Sequence, residues 1–154
     1  MDTLDFDSAL LLVTTALACY SIGVIWTMEL DVFRSWRLLK DKAELDRVRG
    51  EHWRKLPYFV FAPIAIVLIC NIILLWQHPE NTPMVLIWVA LAFHLLVDVL
   101  SGFMWGLWQA KLTFEHHGPD SPLLARLINT HWIRILLVTL NGLALLAAAI
   151  ISFS

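Results

Sequence analysis

Apolar residues fall in four long blocks, at about residues 8–30, 57–76, 84–109 and 127–152. Each is close to the roughly 20 residues a helix needs to cross a hydrocarbon core. The pattern predicts an all-α, integral membrane four-helix bundle. The stretch Arg34 to Lys55 is different. Leu38, Leu45, Val48 and His52 recur there at helical spacing, with Trp36 and Trp53 beside them. That is an amphipathic helix, lying on the membrane surface or extending a span, with Gly50 as its expected bend. Pro57 suits a first helical turn. Pro63 lies deeper and should kink its helix unless a neighbour satisfies the carbonyl it frees. Ser121 and Pro122 read as the cap and first turn of the last helix.

Composition agrees. The 154 residues are 59% hydrophobic and 16% charged, which leaves room for one bundle and no second domain. The net charge of −2 gives no cause to expect a nucleic-acid partner. Cys19 and Cys70 lie in apolar runs without a C-x-x-C pair, and are expected to be buried thiols acting as small hydrophobes. The acidic start, Asp2 to Asp7, lacks the positive region of a signal peptide, so the first block is expected to be retained as a span. All eleven basic residues fall in or beside the first and third connections. The positive-inside rule then puts those connections in the cytoplasm and both termini outside, as in a bacterial cytoplasmic (inner) membrane.

Counting about 1.5 Å per helical residue sorts the polar side chains within the spans into two layers. The deeper one, roughly 20–25 Å from the inner rim by that rise, includes Cys19, Tyr20, Ser21, Cys70, Asn71, His94, Asp98 and Asn141. His94 and Asp98 are four apart and share a helix face. They should be buried, with Asn71 or Asn141 as hydrogen-bond partners, because an unpaired polar group in hydrocarbon is costly. The alternative is a small-ligand or proton site built on His94 and Asp98. The second layer lies at the inner rim and gathers Glu29, His52, Tyr58, Gln109, His131 and Arg134. Two histidines and one carboxylate are ligand types for non-haem iron or zinc. A rim in which Glu29 pairs with Arg134 is the simpler alternative. His116 and His117 read as solvated loop residues.

Three stretches carry a resemblance: Gly23 to Leu30, the His52 region, and Thr130-His131-Trp132-Ile133-Arg134. Together they resemble a broad family of small four-span membrane proteins, mostly of unknown function, related to anthrone oxygenases. Glu29 stands where that family commonly has Gln, His131 where it has Asn, Ile135 where it has Thr and Asn141 where a second arginine often follows. Gln109 falls near a position that is often histidine. The resemblance implies a membrane-embedded, oxygenase-like oxidoreductase acting on a lipophilic small molecule that enters from the bilayer. Glu29, His52 and His131 would bind a metal or carry protons, and Arg134 would stabilise a developing anion. The alternative is a non-enzymatic membrane subunit or small-molecule carrier whose polar layers only set helix packing. Gly102 and Gly106 form a small-x-x-x-small pair that would also allow a homo-oligomer.

Overall fold

The computed structural model describes residues 5–154, and those residues form helices and connections without a strand. Four continuous helices, Phe6–Leu38, Lys42–Ile73, Met84–Phe114 and Pro122–Ser152, are each long and apolar enough to cross a membrane. The first is α1 (Phe6–Thr27) continuing into α2 (Phe33–Leu38), and the second is α3 (Lys42–Leu56) continuing into α4 (Ala62–Ile73). The third is α5 (Met84–Leu100) continuing into α6 (Gly106–Phe114), and the fourth is α7 (Pro122–Ser152). Helix starts follow from local chemistry. The Asp5, Asp41 and Ser121 side chains accept from the Ser8, Ala43 and Leu123 amides, satisfying donors that a helix cannot pair internally.

The helices pack as a ring: α7 lies against α1 and α5, and α4 completes the ring between the same two. α7 buries half of its apolar window, against 22–33% for the other three, so it is the helix the rest are built on. Its inward face is small where α1 crosses. A Cβ at Gly142 would stand 2.5 Å from Ile22 Cδ1. Elsewhere the outward faces carry large apolar side chains, among them Phe103, Val85, Ile150 and Ile69. A surface of that kind, spread over all four helices, suits lipid better than water.

Of the two readings of the Arg34–Lys55 stretch, a surface helix or the extension of a span, the second fits, since α3 is the first half of the second helix and Pro57 lies within that helix rather than at its first turn. The chain turns at Leu39 and Asp41, both extended, while Gly50 stays inside α3 with open space around it. Asp41 supplies the cap that restarts the helix there, and nothing at Gly50 competes with its backbone hydrogen bonds. Likewise the first helix runs on past Asp31 to Leu38, and the second ends at Ile73, before Trp76. Polar residues beyond an apolar run need not end a helix, so the first helix extends past its apolar block.

Where the paired halves join, each of the first three helices widens by one residue. The Phe33 amide donates to Met28 O, Ala62 to Pro57 O and Gly106 to Ser101 O, each closing a turn of i→i+5 rather than i→i+4. Such single wide turns open a helix locally and are frequent at functional sites. Residue 106 must be glycine here, because a Cβ would stand 2.7 Å from Ser101 O. The smallness of Gly106 is thus used within the chain. Pro63 has no N–H for the Phe59 carbonyl one turn back, and Tyr20 Oη donates to that carbonyl at 3.2 Å. The neighbour that Pro63 requires is therefore supplied by the first helix.

Candidate functional site

All three wide turns border one side of the bundle, at the end that carries the basic connections. Met28 from the first, Phe61 from the second and Ser101 and Gly102 from the third line a gap between the second and third helices. The gap encloses about 360 Å³ and Arg134 is part of its lining. A second, smaller cavity of about 80 Å³ adjoins it and shares Val60, Phe61, Ser101 and Arg134 with it. The gap is within the size range of small-molecule sites, the second cavity is a small extension of it, and both are mostly apolar with few polar groups, as such sites are. Nothing within 4 Å would meet a Cβ on Gly102, so the absence of a side chain there holds the gap open.

Arg134 is 7% exposed. Its guanidinium lies over the Trp105 ring, 4.8 Å from the centroid. Trp105 is itself fixed, because its Nε1 donates to Thr130 Oγ1 at 3.0 Å and Thr130 Oγ1 donates to Arg126 O. Among the described residues Arg134 makes no ion pair or hydrogen bond, and its Nε is buried without an acceptor. A desolvated cation–π contact contributes about 2 kcal/mol, whereas burying an unpaired ion costs several. The stacking therefore positions Arg134 without neutralising it.

The expected pairing of Glu29 with Arg134 does not form. Both Glu29 oxygens are used elsewhere, by His131 Nδ1 at 3.2 Å and by Arg34 Nη2 at 3.2 Å. The wide turn Met28–Val32 contains Glu29 and buries it, while Arg34, five residues on, reaches it from the exposed rim. His131 is 0% exposed. A carboxylate only accepts, so Nδ1 carries the proton toward Glu29 and Nε2 is left as a buried lone pair. That nitrogen has no partner among the described residues.

His52 does not join this pair. Its ring sits edge-on to Trp36, Phe33 and Phe59, with centroids 5.4, 6.3 and 6.0 Å away. Phe33 also packs on His131 at 4.7 Å, so one phenyl ring is packed against both imidazoles. Among the described residues no three His, Cys, Asp or Glu side chains gather so as to hold a metal ion. Tyr58 is 80% exposed and faces away from the bundle, whereas Gln109 is buried and borders the gap beside Arg134.

The deeper layer is divided. His94 is buried and its Nε2 faces Asp98 Oδ2 at 3.6 Å, but Asp98, expected to be buried as well, is only half-buried, its side chain 36% exposed, and neither asparagine serves the pair. Asn141 Nδ2 donates to Ala90 O at 2.8 Å, tying α7 to α5, and the buried Asn71 amide has no partner among the described residues. Asp98 lines the central cavity together with Ser21 and Ser101. Contrary to the expectation of two buried thiols, Cys19 is exposed and Cys70 half-buried, because both fall on outward faces of their helices.

One contributor was absent from the sequence reading. Arg49, on α3 among seven other basic residues of the same stretch, is fully buried. Its Nη1 donates to Leu112 O at 3.3 Å and to the His117 carbonyl, and the guanidinium lies over Trp36. It caps carbonyls at the end of α6, where cations are favoured, and so holds α3 against the third connection. His116, expected to be solvated, adds a contact to Asp46 at 2.9 Å, and His117 contacts Glu115. The periodicity of Leu45, Val48 and His52 puts Arg49 beside their inward face, the one signal that could have marked it.

Comparison with known proteins returned no significant match to a family model, a curated protein or a solved structure.

Proposed function

We propose that this chain is an integral membrane protein that takes an anionic lipophilic small molecule from the bilayer into the gap between its second and third helices, with Arg134 as the anion anchor. The observation that carries this is a buried guanidinium with no counter-ion among the described residues, fixed by Trp105 at the meeting point of two apolar cavities. An unpaired ion at that depth marks a ligand path. An acid whose head reaches Arg134 and whose tail fills the gap would remove the cost of the buried charge and cover apolar surface together. The basic residues that crowd this end favour its placement on the cytoplasmic side, where they would also draw anions toward the membrane.

The reading is of a binding protein or carrier first. An oxygenase-like oxidoreductase remains the second, and the Glu29–His131 hydrogen bond is the observation in its favour, since it leaves His131 Nε2 oriented as a proton acceptor. Iron or zinc on Glu29, His52 and His131 would require His52 to leave its aromatic cage and Phe33 to move aside.

The test is binding of radiolabelled hexadecanoate to the detergent-purified protein and to Arg134→Gln. A buried charge-assisted hydrogen bond to a carboxylate contributes roughly 1.5–3 kcal/mol, so affinity should fall on the order of 10- to 100-fold. Equal binding by both proteins would sink the proposal.

A further inference from the structure

Two cross-helix hydrogen bonds set the register of α5 against α7. Asn141 bonds the carbonyl of Ala90 near one end, and Trp105 bonds Thr130 near the other. Between these two fixed points Arg134 falls opposite Asp98 to about one residue, roughly 1.5 Å of rise. The two residues also line the same cavity. A carboxylate and a guanidinium at one depth on neighbouring helices would ordinarily pair, and here they do not. Side chains on a helix lean toward its N-terminus. Because α5 and α7 run antiparallel, Asp98 leans toward His94 and Arg134 leans the opposite way, toward Trp105. The two charges thus line one cavity unpaired, with Ser21 and Ser101 also in its lining.

From these unpaired charges we infer that the ligand is a lipophilic acid carrying a hydrogen-bond donor, an amine or a hydroxyl, beside its carboxylate. The inference rests on the anion reading of Arg134 and extends it to a second pole. The carboxylate meets Arg134, the neighbouring donor meets Asp98, and the alkyl or aromatic body fills the gap toward Gly102. Among the described residues Asp98 accepts no hydrogen bond and faces the His94 nitrogen at 3.6 Å, so its oxygens are free for such a donor. A plain acid satisfies one pole and leaves the other open. An acid with an adjacent amine satisfies both and adds no net charge to the site.

Displacement of radiolabelled hexadecanoate by 2-aminohexadecanoate, 2-hydroxyhexadecanoate and unlabelled hexadecanoate tests the second pole. The amino or the hydroxy acid should compete about 10-fold more strongly than the plain acid, the order of one charge-assisted hydrogen bond. In Asp98→Leu, and in Asp98→Ala as a second variant, the affinity of either substituted acid relative to the plain acid in the same variant should fall to about one, because neither side chain offers an acceptor. If the plain acid binds through Arg134 but neither substituted acid gains, or the gain survives both Asp98 variants, the second pole is refuted and the anion anchor stands. If Arg134→Gln leaves all three affinities unchanged, both readings are overturned.

Discussion

Single side chains decide most of what this site can do. Arg134 is costly where it lies, and its neighbours position it without paying its charge. Glu29 is its opposite, a buried carboxylate fully engaged by His131 and Arg34. Replacing Glu29 by Leu strands the His131 ring in the core, so unfolding in detergent should lose about 1–3 kcal/mol, the cost of a buried unsatisfied group. An unchanged melting temperature would mean that the pair is incidental. Gly142 makes a packing prediction of the same kind. A Val side chain there would collide with Ile22, and overpacking of this sort costs roughly 1–3 kcal/mol. Ile22→Ala should restore part of it, measured by the same melts. The sequence made the meeting of Glu29 and His131 legible, since counting residues placed them at one depth. It could not show that Arg134 leans away from that pair toward Trp105, because lean depends on chain direction and on which helix is the neighbour.

At the scale of the element, the four helices were legible from hydropathy and the start of the last from its Ser121 cap. The wide turns were not. Met28–Val32, Pro57–Phe61 and Ser101–Trp105 keep ordinary helical dihedrals at their edges and no residue type announces them, apart from the glycine that the third demands. Yet they line the gap, and one of them turns Glu29 inward. Pro63 was recognised as needing a partner, and Tyr20 is that partner. Tyr20→Phe should cost about 1 kcal/mol, the net worth of one such hydrogen bond. In a Pro63→Ala background the restored amide can take the Phe59 carbonyl, and the same substitution should cost close to nothing. Additive losses across this double-mutant cycle would show that the two residues do not act through that carbonyl.

For the whole molecule, the ring of helices follows from α7 being the most deeply packed, which its small residues at 142, 144, 148 and 149 foreshadow. The orientation proposed here rests on charge alone. Asn81→Cys and Asp120→Cys, placed in a chain with Cys19 and Cys70 replaced, should label from opposite sides of a sealed membrane, the former from outside. Labelling of both from one side would overturn the four-span topology. The central claim is that a lipophilic acid enters between the second and third helices and ends on Arg134. Photolabelling with a fatty acid carrying a diazirine in its tail, followed by peptide mapping, tests it most directly. The account predicts adducts concentrated on the residues around Phe61, Gly102 and Leu107 that line the gap, competed by hexadecanoate and lost in Arg134→Gln. Adducts scattered over the outward faces of all four helices, and indifferent to Arg134, would contradict it.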